Sequence, residues 1–233
     1  MTKMSTITRS LVAFLAALSL SMPGMAKEAG QKRRTAAPAA KSSSSKKAAP
    51  AKDSLQTMKL YDFETDLDGW RIPEWAFAKA DNAGLDVALS SDQASSGKQS
   101  LKMNCKFPPK MWTGAYVEIE RESGNYMDFT GHQYLLVDVF LPANAPAKMK
   151  GEIILTVGEN WSWTEMRKPV VLTPGAWTTI KADITSDGTD WKVRFTDELR
   201  ADVRKLGVRV SSSSADYKGP VFIDNVRLGS ETK

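Results

Sequence analysis

From residue 58 onward the chain is built of short β-branched and aromatic runs, each closed by turn residues, and this pattern limits the folds open to it. The runs are MKLYDFE (58–64), AGLDVALS (83–90), SLKMNCKF (100–107), GAYVEIE (114–120), YLLVDVFL (134–141), GEIILTV (151–157), WSWTEMR (161–167), WTTIKADI (177–184), VRKLGVRVS (203–211) and PVFIDNVRL (220–228). Several alternate with the two-residue period of a strand. In YLLVDVFL, Leu135, Val137 and Val139 oppose Leu136, Asp138 and Phe140; in GVRVS, Val208 and Val210 oppose Gly207, Arg209 and Ser211. One segment, TDELRADVRKL (196–206), reads as a helical turn behind a Thr196 cap. Alternating βαβ units are absent. The pattern predicts an all-β domain, an antiparallel β-sandwich.

The sandwich accounts for residues 57–233. Residues 1–26 read as a cleavable signal peptide: Lys3 and Arg9 are basic, LVAFLAALSLSM is apolar, and Pro23-Gly24-Met25-Ala26 ends it. That apolar run is short for a membrane span. Residues 27–56 are rich in Ala, Lys, Pro and Ser and hold no aromatic residue. They cannot bury enough apolar surface to offset chain entropy and read as a disordered linker. The expectation is a secreted or periplasmic bacterial protein.

Charge separates these pieces. The formal charge is +5; the signal carries +2 and the linker +6, which leaves −3 on residues 57–233. The basic character therefore belongs to the linker, which could associate with an anionic envelope. The domain itself is not expected to bind nucleic acid. The one cysteine, Cys105, excludes an internal disulfide and reads as a small buried hydrophobe. The one histidine, His132, gives little support to a His-rich metal site or a nucleophile–His pair.

Trp161 and Trp163 stand two positions apart in GENWSWTEM, so in a regular strand both rings share a face with Glu159 and Glu165. A stripe reading Glu-Trp-Trp-Glu is unusual for a core. Trp75 (RIPEWAF) and Trp112 (PKMWTGAY) fall in loop-like sequence, where an exposed indole points to binding. Tyr116 follows Trp112 at even spacing. Trp70 and Trp177 read as packing, and Trp191 is undecided.

DFETDLDGW (62–70), SSGKQSLKM (95–103), VVLTPGAWTTIKADI (170–184) and VRKLGVRVSSSSADYKGPVFIDNVRL (203–228) follow one another in an order that resembles the galactose-binding-like jelly roll of bacterial carbohydrate-binding modules, especially those attached to mannanases and β-glucanases. The resemblance implies two sites. One is a structural calcium ion, Ca2+, held by Glu64, Asp224 and backbone carbonyls around Ser96, Gly97 and Lys98. Calcium takes several hard oxygen ligands, and an acid within VFIDNV needs a partner. The other is a platform for a polysaccharide of β-mannan or β-glucan type. Sugar C–H faces would pack on Trp163 and Trp161, with Trp112, Trp75 and Tyr116 as further rings and Arg209 and Glu165 as hydroxyl partners.

The expected function is non-catalytic polysaccharide binding. Two alternatives stay open. One is an envelope structural or adhesion protein that contacts protein or cell-wall polymer. The other is a jelly-roll glycosidase or lyase, for which Glu118 and Glu120, or Glu159 and Glu165, would be the carboxylate pairs. Acids two apart also arise on any solvated strand face.

Overall fold

Alternation becomes structure in eleven strands and two short helices, which the computed structural model describes over residues 55–232. The strands are β1 (Leu55–Tyr61), β2 (Gly84–Ser90), β3 (Ser100–Phe107), β4 (Thr113–Glu120), β5 (Tyr134–Leu141), β6 (Lys150–Val157), β7 (Ser162–Glu165), β8 (Val170–Val171), β9 (Ala176–Asp183), β10 (Val203–Ser212) and β11 (Tyr217–Glu231). The helices are α1 (Glu74–Phe77) and α2 (Asp197–Arg200). The signal segment and residues 27–54 of the linker lie outside the described residues. The linker's last two positions belong to the fold instead: Leu55 and Gln56 pair with Glu231 and Ser230.

The named strands pair antiparallel in two sheets. The six-stranded sheet runs β2-β3-β11-β5-β9, with β1 also on β11. The five-stranded sheet runs β4-β10-β6-β7, with β8 also on β6. Side chains of alternate residues fill the space between them. Leu101, Met103, Cys105 and Phe107 of β3 face Ala115, Val117 and Ile119 of β4 and Val208 and Val210 of β10 within one buried cluster. Trp70 and Trp191 are buried in it too, and the Trp191 indole donates to the Asp183 carbonyl at 2.7 Å. The fold is thus the β-sandwich that the alternation predicts.

Local differences from the sequence reading have local causes. Trp177 is not core: it stands on the outward parity of β9, against Phe140 of β5 at 5.5 Å. TDELRADVRKL forms one helical turn, capped as expected by Thr196, whose hydroxyl accepts from the Leu199 amide. The rest of it is already β10, because its Val203 and Leu206 are buried between the sheets. α1 and the two-residue β8 are too short to produce a periodic signal. Cys105 is buried, and burial pushes its thiol pKa up.

Candidate functional site

The outer face of the five-stranded sheet is a set of rows that cross the strands. Pairing sets Glu120, Lys205, Thr156 and Trp163 in one row, then Glu118, Gly207, Ile154 and Glu165, then Tyr116, Arg209 and Glu152, then Gly114, Ser211 and Lys150. These residues have the parity opposite to the core valines of the same strands, so they must face outward.

Two projections turn this face into a groove of about 720 Å³. α1 brings Trp75 over one side, with its indole 5.2 Å from the Tyr116 ring and 6.0 Å from Trp163. The turn before β7 brings Trp161. Trp112 enters just ahead of β4 and stacks near Arg209, whose guanidinium lies 5.6 Å from the ring. The four indoles of Trp75, Trp112, Trp161 and Trp163 are each 41–45 % exposed, whereas Tyr116 is 4 % exposed. Tyr116 is therefore the backing of the platform and not its surface. It lies 5.6 Å from Trp163 and directly over Gly207, where any Cβ would fall 2.4 Å from the phenol oxygen. A glycine at that position lets the ring lie flat on the strand.

Trp161 reaches the groove by a route that strand parity does not describe. β7 starts at Ser162, and Trp161 closes a turn by donating its amide to the Gly158 carbonyl at 2.9 Å. Its φ of 51° is left-handed, which a bulky residue rarely adopts without support. That support comes from Arg204, which is 5.1 Å from the indole and gripped by Asp202 through two 2.9 Å bonds. A strained, half-exposed indole on a concave surface is an outlier of the kind that points to function. Glu159, expected on the same face, is an exposed turn residue instead.

The floor between the rings is ionic and internally paired. Arg209 donates to Glu152 at 2.9 Å and to Glu165 at 2.6 Å, and Lys192 also pairs with Glu165. Lys205 binds Glu118 at 3.2 Å and Glu120 at 2.9 Å, while Tyr116 donates its hydroxyl to Glu118 at 2.7 Å. Burial raises the Glu152 pKa above its usual value, against the pull of Arg209. Glu165 also feels burial, but Lys192 and Arg209 outweigh it and hold its carboxyl below the usual value. Such half-buried pairs add little net stability, because desolvation offsets attraction. Their effect is to fix the direction of Arg209, whose Nη1 makes no bond among the described residues.

The structure thus brings Trp75, Trp112, Tyr116, Trp161, Trp163 and Arg209 around one groove. Glu165 stands beside it as the anchor of Arg209. The sequence reading missed Lys205, which shares the outward parity of Arg209 and was legible on that ground. It also missed Asp81 and Asn82, loop residues at the groove's edge that carry no sequence signal.

Glu64 and Asp224 lie elsewhere, under the loop that precedes β3. Asp224 is fully buried; its Oδ2 accepts from the amides of Ser95 and Ser96 at 2.7 and 2.9 Å, and its Oδ1 from the Asn225 amide at 2.6 Å. Glu64 accepts from the amides of Lys98 and Gln99 at 2.8 and 3.1 Å. The expected calcium site needs carbonyl oxygens from this loop, yet the loop turns N–H donors toward both carboxylates. Such donors suit an anion and not a cation, so the residues as arranged do not fit a calcium ion. Among the described residues no group of three or more His, Cys, Asp or Glu side chains is placed to hold a metal.

Comparison with known proteins follows the same fold. A family described as "mannanase, galactose-binding domain-like" matches residues 61–225. No curated protein matches the chain. Among solved structures it is similar to CBM27-1 of Caldicellulosiruptor saccharolyticus, determined in complex with mannohexaose, at 21 % identity and a TM-score of 0.53, covering 75 % of this chain and 97 % of that one. It is also similar to a CBM28 module specific for non-crystalline cellulose, at 19 % identity and a TM-score of 0.51, covering 72 % and 90 %. At these identities the likeness is one of fold.

Proposed function

Because the chain belongs to the mannanase, galactose-binding domain-like family, we propose that it is an exported, non-catalytic module that holds a β-linked polysaccharide of the β-mannan or β-glucan type in the groove. One observation carries this reading: four half-exposed indoles from separate elements converge on a groove floored by paired charges. Indole faces suit the C–H faces of pyranose rings, and oriented Arg209 and Lys205 suit hydroxyl groups. Of the solved structures that share the fold, one is a complex with mannohexaose and another is of a module described as specific for non-crystalline cellulose, which favours a neutral β-linked backbone.

The groove's carboxylates speak against hydrolysis as its task. Glu118, Glu152 and Glu165 are each bound to a cation, which leaves Asp81 at the groove's edge with no second free carboxylate opposite it among the described residues. Glu64 and Asp224 act in this reading as hydrogen-bond staples of the loop before β3, in place of calcium ligands. Export rests on the signal segment read from the sequence, and the basic linker is the part suited to an anionic envelope.

The test is affinity gel electrophoresis of the full chain against mannan, glucomannan, β-glucan, xylan and galactan, with and without a calcium chelator. Retardation by a mannan or glucan, unchanged by chelator, is the expected result. A folded chain that no polymer retards overturns the groove reading, and a melting temperature that falls with chelator overturns the staple reading.

A further inference from the structure

The groove continues past Trp112. Trp112 and Arg209 also line a second hollow of about 460 Å³, whose other wall carries Lys148, Lys150, Arg167 and Lys192. Within this hollow only two acids face them, Glu152 and Glu165, and both are already engaged: each binds Arg209, and Glu165 also binds Lys192, while Asp187 and Asp190 border Arg167 from an adjoining hollow without an ion pair to it. Lys148, Lys150 and Arg167 form no ion pair among the described residues; Arg167 reaches the Lys192 carbonyl at 3.4 Å. Three uncompensated cations therefore border one trough, on a domain segment whose own formal charge is −3. A cleft lined by one sign concentrates its field, so this trough attracts anions even though the domain as a whole repels them.

We propose that this trough receives anionic substituents, carboxylate or sulfate, carried by the same polysaccharide chain that the indoles hold. The inference rests on the groove reading and narrows its substrate class to neutral β-linked backbones that carry acidic substituents. Row spacing supports one continuous ligand. Lys150 lies three two-residue steps from the row of Trp163, about 20 Å at the ordinary strand rise. A polymer spans that distance; a single sugar does not. The two ends also differ in kind. Beneath the rings Arg209 and Lys205 are neutralised, which suits hydroxyls, and Lys79 at the groove's edge is a single cation with no ion pair among the described residues, whereas the trough gathers three such charges for a partner.

The test uses the full chain and one backbone in three forms: glucomannan, its carboxymethyl derivative and its sulfate ester. At low salt the charged forms are expected to bind about tenfold more tightly than the neutral one. The preference should vanish near 1 M salt, where the screening length is about 3 Å, while neutral binding persists. The variant Lys148→Asn/Lys150→Gln/Arg167→Gln should lose the preference and keep neutral binding; asparagine suits the left-handed backbone at Lys148 (φ 74°). A charge-matched control on the opposite sheet, Lys102→Gln/Lys106→Gln/Lys218→Gln, should keep it and also accounts for the basic linker, which both variants retain.

A preference for only the carboxymethyl form or only the sulfate identifies the source of the anion. Neutral retention with no preference, or equal loss in the control, sinks the trough and leaves the groove reading standing. Retention of none of the three sinks both. Loss of phosphatidylglycerol-vesicle binding in the triple variant, with polymer preference unchanged, would assign the trough to a lipid surface and overturn the proposal.

Discussion

The two sheets present their outer faces to solvent in different ways, although both faces carry aromatic residues and buried acids. On the six-stranded sheet the rings lie in register on adjoining strands: Phe222 pairs with Phe140, and Phe140 with Trp177, at 6.1 and 5.5 Å. The next row, Asp224, Asp138 and Thr179, is polar and covered by the loop before β3. Ser95, Thr179 and Asn225 donate to Asp138, so each acid there is satisfied from within the fold. On the five-stranded sheet Tyr116 pairs with Arg209 and Trp163 with Thr156. Its indoles come from a helix, a strand and turns, and they meet around empty space. Rings that pair across strands satisfy one another and stabilise the sheet. Rings that converge from unrelated elements leave faces unsatisfied, and those faces suit a ligand.

Substitutions on the two faces should therefore separate stability from binding. The largest effect is expected from Asp224→Ala. It strands three amide donors of half-buried residues and should lower the unfolding free energy by about 3 kcal/mol, read by urea denaturation. The folded fraction should still bind polymer; a fully stable variant would mean the staple carries no load. Trp163→Ala comes next, with the opposite signature. Affinity for the retaining polysaccharide should fall at least tenfold, about 1.4 kcal/mol, with the melting temperature nearly unchanged. If that variant unfolds, the ring is packing and the contrast between the faces collapses.

Trp177→Ala tests the other ladder: about 1 kcal/mol of stability lost, with binding untouched. A loss of binding there would move the ligand to the wrong sheet.

The smallest effect is a pH dependence of binding. The Glu165 pKa is lowered, so its ionised form adds stability above the reference value of 4.5, and this is lost as pH falls through the lowered value. The Glu152 pKa is raised by burial, so its charge costs stability above the raised value, and the cost is relieved as pH falls through it. The two contributions oppose each other in stability yet act together on Arg209, which loses Glu152 first, above pH 4.5, and Glu165 below it. Retention should weaken stepwise toward acid while the fold holds, and gels run from pH 7 to pH 4 would reveal it.

Much of this was legible without coordinates. β3 and β5 coincide with SLKMNCKF and YLLVDVFL, because short apolar and β-branched runs closed by turn residues write strands into the sequence. The outward parity of Arg209 and Trp163 follows from the two-residue period of a strand. What parity cannot say is what lies over an outward residue. Tyr116 points outward and is nonetheless buried, because α1, a helix of four residues, lays Trp75 on top of it. Trp161 appeared to share a strand face with Trp163 and instead sits in a left-handed turn held by Arg204. Trp177 and Trp191 show the same limit from the other side, since nothing in PGAWTT or GTDWKV says which indole will meet the core.

Glu64 and Asp224 do meet the same loop, as the resemblance implied, but whether that loop offers carbonyls or amides depends on a few backbone dihedrals. The sequence by itself determined the sandwich, its sheet parity and the residue types available for binding, because periodic burial is a local property of the chain. Only the tertiary structure decided which rings stay open, which charges are cancelled and where three cations remain unpaired, because those depend on contacts between residues far apart in sequence.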